Sequence, residues 1–335
     1  MTLKTGLSYH DEMRLQDVFD LYEGKLRQVE AKIQEFFQNR VPVIPLIGKY
    51  ITSSGGKRIR PLLHLVSADM CGYKGDATIA VGGIIESIHT ASLLHDDVVD
   101  MAQIRRGRPS ANSLWGNQVV ILVGDYLYSN ALRVAVMLES QRIMETLSAA
   151  TTHMTEGELH QLNKIGDPEL TEAEYIEIIS AKTGALISAA CRIGAILGGM
   201  SREHEEALAD FGMKTGVVFQ MADDILDYMA EEDQLGKKLC KDLEEGKITL
   251  PLIHLFQVAS DDLRNEIKEI LAGDLADSGL KRILELLKIH RSIEASFEKA
   301  SALIAEAKER LMVFPESQAR AALFRIADHS LHRGK

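Results

Sequence analysis

The stretch from Glu86 to Arg108, ESIHTASLLHDDVVDMAQIRRGR, decides how the rest of the chain is read. Ile84, Ile85, Ile88, Leu93 and Leu94 supply the apolar positions of a buried helix, and Asp96, Asp97 and Asp100 then arrive together at its expected end. Carboxylates at that end oppose the helix macrodipole. Asp96 and Asp100 are four apart and share a face, where like charges cost roughly a few tenths of a kcal/mol. Two local rules broken at one place mark a functional site, and the natural compensation is a divalent cation bridging the carboxylates. Oxygen-only ligands point to magnesium.

A single DDxxD pattern is weak, because ordinary composition produces one by chance in roughly 7% of chains of this length. The same pattern recurs at Asp223, Asp224 and Asp227, again after an apolar helical run, and the joint chance falls to roughly 0.3%. A merely solvated helix face therefore does not explain the pair. Two acidic helix ends facing each other across a helical bundle would form a cage for several magnesium ions, and magnesium normally shares such sites with substrate phosphates. The expected ligand is a diphosphate.

The chain has 335 residues, 46% hydrophobic and 26% charged, which excludes a largely disordered polypeptide and allows a substantial core. One domain over residues 1–335 is expected, with the amphipathic helix of residues 1–40 packed on it. A net charge of -11 argues against a nucleic-acid partner, whose footprint is basic. Cys71, Cys191 and Cys240 lack metal-ligand spacing and read as free thiols of a cytoplasmic protein. The opening MTLKTGLSYHDEMRL has no apolar core before a small-residue cleavage site, and no run is expected to reach the length of a membrane span. Gly184 to Met200 comes nearest, and its Gly184, Gly194, Gly198 and Gly199 suit close helix packing instead.

Helical periodicity accounts for nearly the whole chain, from Leu15, Val18, Tyr22, Leu26, Val29 and Ile33 near the start to Gln318–Leu331 at the end. Thr171 and Glu174 form a capping box before a long helix to about Gly198, and Ser201 opens the helix that leads into the second aspartate cluster. Residues 231–246 read as a polar loop. No sustained alternating, β-branched run demands a sheet, and no fixed repeat suggests a solenoid. The fold class is all-α, a large helical bundle.

SSGGKRIRP, residues 53–61, sets flexible backbone beside Lys57, Arg58 and Arg60 at a helix entrance, an arrangement that suits an anion. Arg105, Arg106 and Arg108 follow the first aspartate cluster, and guanidinium forks match diphosphate oxygens. Lys182, Lys237, Lys238, Lys241 and Lys247 complete the basic set.

These residues resemble the trans-isoprenyl diphosphate synthases, or polyprenyl synthetases. The resemblance is carried by GGKRIRP at 55–61, HTASLLHDDVVD at 89–100, RRGRPSAN at 105–112, GDYLY at 124–128, KTG at 182–184, FQMADDILDY at 219–228 and KDLEEGKITLP at 241–251, in the family's order. It implies helices around a deep central cavity and a homodimer; peripheral membrane contact for product release is a separate expectation from the apolar Gly184 to Met200 stretch. The resemblance also implies magnesium, about three ions per site once substrate phosphates are bound. Asp96, Asp100 and Asp223 would hold the metal, with Asp97, Asp224 and Asp227 completing the acidic motifs and Lys182 and Lys247 assisting catalysis. Lys57, Arg60, His89 and Arg106 resemble the isopentenyl diphosphate site. Arg105, Lys182, Thr183, Gln220, Lys237 and Lys247 resemble contacts to the allylic diphosphate. The chain departs from the family pattern at Lys238, Cys240 and Lys241, where a small residue or proline, a glycine and a neutral polar residue are common.

The implied reaction condenses isopentenyl diphosphate with an allylic prenyl diphosphate. A long product of about C35 to C50, destined for quinone side chains, is expected because short-chain members commonly carry an aromatic floor where this chain has Ala91 and Ser92. Ile88 stands a further turn back. Four other readings compete. A shorter-chain farnesyl or geranylgeranyl synthase requires another side chain to close the passage. A magnesium-dependent all-α diphosphohydrolase predicts base-stacking aromatics, of which Ile79 to Pro109 holds none. A terpene cyclase has no need of a second diphosphate site, and a non-catalytic partner subunit has no need of intact aspartate motifs.

Overall fold

A computed structural model describes residues 13–53, 55–229, 240–273 and 277–332. Helices α1 (Leu15–Phe36), α2 (Val43–Ser53), α3 (Ile59–Met70) and α4 (Ala77–Val99) come first. A two-strand hairpin, β1 (Ile104–Arg105) and β2 (Arg108–Pro109), leads to α5 (Ala111–Trp115), α6 (Asn117–Val136) and α7 (Gln141–Asn163). Then come α8 (Glu172–Ile179), a π-helical turn over Ser180–Gly184, α9 (Ala185–Leu197) and α10 (Arg202–Asp227). The remainder is α11 (Lys241–Glu244), α12 (Leu250–Val258), α13 (Asp261–Ala272), α14 (Asp277–Ile289), α15 (Ser292–Arg310) and α16 (Gln318–Leu331). The all-α class is as expected.

The chain forms two compact units. The first comprises residues 1–151, 186–209 and 313–325; the second comprises 152–185, 210–312 and 326–335.

In the first unit α1 buries Val18, Tyr22, Val29, Ile33 and Phe36, one stripe at spacings of three, four and seven, against α3 and α4. Each such side chain removed from water contributes about 1.5–3 kcal/mol. Close approach is possible because α4 presents Gly82 and Gly83; a Cβ there would lie 2.9 Å from Val29 and 2.8 Å from Lys32. Helix α9 meets α3 in the same way, a Cβ at Gly194 falling 2.7 Å from the Ala68 nitrogen. Gly198 lies against Cys71, whereas Gly199 has open space and serves a left-handed turn at φ 63°. Helix α6 packs along α4, and its Asn130 Nδ2 donates to the Phe36 carbonyl at 3.0 Å.

In the second unit α12 packs on α8, α14 and α15. The expected capping box is present, with Thr171 Oγ1 accepting from Glu174 N–H at 3.2 Å and Glu174 accepting from Thr171 N–H at 2.9 Å. Cys71, Cys191 and Cys240 are all free and buried.

Two expectations need correction. Helices Ala77–Val99, Asn117–Val136 and Glu172–Leu197 are long and apolar enough, by length and composition, to cross a membrane. The first and third spend most of that apolar surface on the protein's own interior, but only 33% of the α6 window is buried. The expected helix from Thr171 to about Gly198 is present as one run, Glu172–Leu197, with the π turn inside it; the expected loop of residues 231–246 contains α11.

Candidate active site

Helix α4 delivers Asp96 and Asp97 in its last turn and Asp100 as its C-cap, where the Asp100 N–H donates to the Asp96 carbonyl at 2.8 Å. The three carboxylates are not equivalent. Asp97 is 3% exposed and accepts from Arg105 Nε, whereas Asp100 is exposed and Asp96 half-buried. Asn112 Nδ2 donates to the Asp97 carbonyl at 3.0 Å, so the whole RRGRPSAN segment is folded back onto the helix end.

The hairpin turns at Arg106 and Gly107, with φ of 52° and 73°, the paired left-handed geometry of a tight two-residue turn. Arg106 there donates from Nη1 to the Gly55 carbonyl, and Tyr50 Oη of α2 donates to the Pro109 carbonyl at 2.8 Å. These bonds bring the GGKRIRP and RRGRPSAN segments together within the first unit.

Half-buried His89 stands among the basic residues. Burial, then the fields of Arg60, Arg106, Arg105 and Arg58, hold its ring well below the usual imidazole range. His89 is therefore neutral at pH 7 and can share a hydrogen bond without adding charge. Burial and the repulsion of Arg58 and Arg105 likewise lower Arg106. A cluster of guanidiniums that repel one another is completed by an anion. Lys57 is exposed beside it and Arg60 half-buried.

In the second unit α10 ends in Asp223, Asp224 and Asp227. Asp223 is exposed, but Asp224 is 5% exposed and accepts from Tyr175 Oη at 2.6 Å and Gln220 Nε2 at 2.8 Å. Gln220 Oε1 in turn accepts from Thr183 Oγ1 at 2.9 Å. This relay ties the π turn to α10. Burial and the neighbouring Asp242 raise the Asp224 carboxyl above its ordinary range. Burial, with Asp242 again second, pushes Asp227 up to about 6. Asp227 accepts from the backbone N–H groups of Lys241 at 3.2 Å and Asp242 at 3.0 Å, which caps α11.

One pocket of this unit is lined by Lys182, Gln220, Asp224 and Lys247, together with Tyr175 and Asp242. Lys182 Nζ donates to Glu158 Oε2 at 2.8 Å and Gln161 Oε1 at 2.7 Å, and Lys247 Nζ donates to Glu245 Oε2 at 2.7 Å. Lys182 and Thr183 ride on the π turn, a feature often found at functional sites. Lys237 and Lys238 lie outside the described residues.

Ala91 is fully buried and Ile88 is 1% exposed, while half-buried Ser92 donates from Oγ to the His89 carbonyl at 2.9 Å. Among the described residues no group of three or more His, Cys, Asp or Glu side chains is placed to hold a metal ion by itself. The donor set nevertheless fits magnesium: exposed or half-exposed carboxylates, all oxygen, with room for ligands from elsewhere. Tyr175, Asp242 and Glu86 escaped the sequence reading, and Arg58, expected to face an anion, is instead engaged by Glu30 and Glu86. Only Glu86, an acid inside the apolar run of α4, carried a visible signal.

Residues 41–287 match the polyprenyl synthetase family. The chain is 37% identical over 323 residues to the octaprenyl diphosphate synthase of Escherichia coli (strain K12), covering 96% of this chain and 100% of that one. A geranylgeranyl diphosphate synthase of Methanosarcina mazei is 32% identical, covering 96% of this chain and 99% of its own. The crystal structure of a decaprenyl diphosphate synthase from Rhodobacter capsulatus superposes with a TM-score of 0.91 at 35% identity, covering 96% and 99% of the two chains. A polyprenyl synthase from Caulobacter crescentus CB15, complexed with calcium and isoprenyl diphosphate, gives a TM-score of 0.89 at 34% identity, covering 95% and 97%.

Proposed function

The chain belongs to the polyprenyl synthetase family and is a trans-prenyltransferase, and from that premise we propose that it condenses isopentenyl diphosphate with an allylic prenyl diphosphate into a product of about C35 to C50. The observation that carries the two-substrate reading is the guanidinium cluster around neutral His89, beside an acidic helix end. Lys57, Arg60, His89 and Arg106 bind isopentenyl diphosphate. Arg105, Lys182, Thr183, Gln220, Lys237 and Lys247 bind the allylic diphosphate.

Asp96, Asp100 and Asp223 would hold magnesium, which when bound would neutralise charge growing on the leaving diphosphate. Asp97 aims Arg105, Asp224 aims Gln220, and Asp227 holds the start of α11. Lys182 and Lys247 supply fixed positive charge to the same leaving group. Neutral His89 shares one hydrogen bond, and the departing diphosphate accepts the proton that the condensation releases. The apolar wall of α4 keeps water from the allylic cation.

The single-domain reading is supported by the span of the family match, which runs through both compact units. The homodimer is supported by exposed apolar side chains towards the two ends of α6, Leu122 at 67% near its start and Val136 at 60% and Met137 at 68% at its end; peripheral membrane contact for product release is the other use of those side chains. The enzyme works in the cytoplasm, and its product supplies quinone side chains. A shorter product is the second reading, favoured by complete burial of Ala91, which suits an ordinary core position.

The deciding experiment incubates the protein with labelled isopentenyl diphosphate, magnesium and an allylic primer, then separates products by length. Label in products of about C35 to C50 is expected. Absence of incorporation refutes the reaction, and products of four isoprene units or fewer refute the long chain.

A further inference from the structure

Arg58 stands between Lys57 and Arg60, yet none of the roles above uses it. Its guanidinium is spent on two acids. Nε and Nη2 donate to Glu30 Oε2 and Oε1 at 2.8 and 3.1 Å, and Nη1 donates to Glu86 Oε1 at 2.7 Å. Glu30 comes from α1, Glu86 from α4, and Arg58 is the N-cap of α3. The Arg58 and Glu86 side chains are 16% and 7% exposed, so this is a built contact, with the fork matched to Glu30 on both nitrogens.

The backbone explains what the contact is for. Arg58 has φ 49° and ψ 36°, a left-handed conformation that costs any residue with a Cβ. Such strain persists only where the surroundings over-determine it, and here three charge-assisted hydrogen bonds do so. The conformation at residue 58 sets the direction in which Lys57 leaves the helix and the phase in which α3, and with it Arg60, begins. Glu86 also offsets part of the repulsion that Arg58 and Arg105 exert on Arg106.

We propose that the Glu30–Arg58–Glu86 clamp makes Arg58 a positioning residue for the isopentenyl diphosphate site, with α1 contributing to substrate affinity through Glu30. Glu30 precedes the span that matches the family, residues 41–287, so the helix before that span takes part in binding. The inference rests on the proposed role of Lys57 and Arg60.

The test is steady-state kinetics of Glu30→Ala, Arg58→Lys and Arg58→Gly with each substrate varied in turn. A lysine keeps the charge but cannot engage Glu30 and Glu86 together as the fork does, and a glycine accepts the left-handed backbone without holding it there. Each should raise KM for isopentenyl diphosphate about tenfold to a hundredfold, the range for a lost charge-assisted hydrogen bond, while kcat and the allylic KM stay within about twofold. Glu30→Gln, which keeps one acceptor, should recover part of the affinity. In the Arg58→Gly background, Glu30→Ala should add no further increase, because its partner is already gone.

A lower Tm with unchanged KM for isopentenyl diphosphate in all variants reduces the clamp to a brace and overturns the proposal, as does full additivity of Glu30→Ala and Arg58→Gly. Failure of the wild type to incorporate isopentenyl diphosphate overturns the functional reading instead, so the two failures are told apart.

Discussion

Replacement of Gly157 by alanine should damage both stability and turnover, and the structure sets the size of each effect. Helix α7 crosses the π turn at Gly157, where an added Cβ would stand 2.8 Å from the Lys182 backbone nitrogen and 2.9 Å from the Ala181 Cβ. Ordinary contact begins near 3.4 Å, so the backbone at Lys182 must retreat by about 0.6 Å. Backbone cannot rotate aside as a long side chain does. Overpacking of this kind costs about 1–3 kcal/mol, a fall in Tm of roughly 1–5 °C for a chain of this length. Misplacement of a catalytic group by about 1 Å costs about a hundredfold, so a shift of this size at Lys182 should lower kcat about tenfold. Thermal unfolding followed by circular dichroism and incorporation of labelled isopentenyl diphosphate measure the two effects. Gly24→Ala is the control: nothing lies within 4 Å of its added Cβ in the middle of α1, so it should stabilise by up to about 1 kcal/mol without altering kcat. Wild-type turnover in Gly157→Ala, whether or not Tm falls, would refute the argument that this contact positions Lys182.

Asp96→Asn and Asp223→Asn should each lower kcat by orders of magnitude while leaving the circular dichroism spectrum intact, since neither exchange alters packing volume; near-normal turnover at saturating magnesium would remove both from the metal site. Ala91→Phe or Ser92→Phe should shorten the product to about three or four isoprene units, one turn or about 5.4 Å below the aspartates, and an unchanged product distribution would place chain-length control elsewhere. His64 gives a pH prediction. Burial, and then the field of Lys25, lowers its pKa to about 4, so the native state keeps it neutral while the unfolded chain takes up a proton near pH 6.5. Its contribution is thus complete above pH 6.5 and is lost as pH falls towards 4, by about 3 kcal/mol. Urea unfolding of wild type and His64→Gln should show that extra loss in the wild type alone.

Long, strongly patterned helices were legible in the sequence. The α4 stripe, the Thr171 capping box and the span of α16 all depend on local periodicity and capping, which a sequence displays directly. The two aspartate motifs were legible because they violate local rules on their helices. The π turn was not: Ser180–Gly184 carries no propensity signal, and it is fitted to the backbone of α7 at Gly157, a contact between distant residues. The tight turn at Arg106 and Gly107 was equally hidden, since arginine in the left-handed region is held by its bond to Gly55. Partnership was hardest to read. Tyr175 looks like one more apolar helix position, and only its 2.6 Å bond to Asp224 shows that the polar tip matters. The three potential membrane spans show the limit of a window count: α4 owes its apolar length to packing against α1, α3 and α6.

In both acidic motifs the second aspartate is turned inward, Asp97 onto Arg105 and Asp224 onto Tyr175 and Gln220. The motif is therefore not portable. A DDxxD sequence grafted onto the end of a foreign helix would present its outer carboxylates but strand a buried negative charge, and the graft would unravel its own last turn before meeting a cation. What must travel with the five residues is the counterpart that each inner carboxylate grips, a following hairpin in one case and a tyrosine from another helix in the other. A designer seeking a new cation-binding helix end should transplant both segments together, and should judge success first by whether the inner aspartate is sheltered.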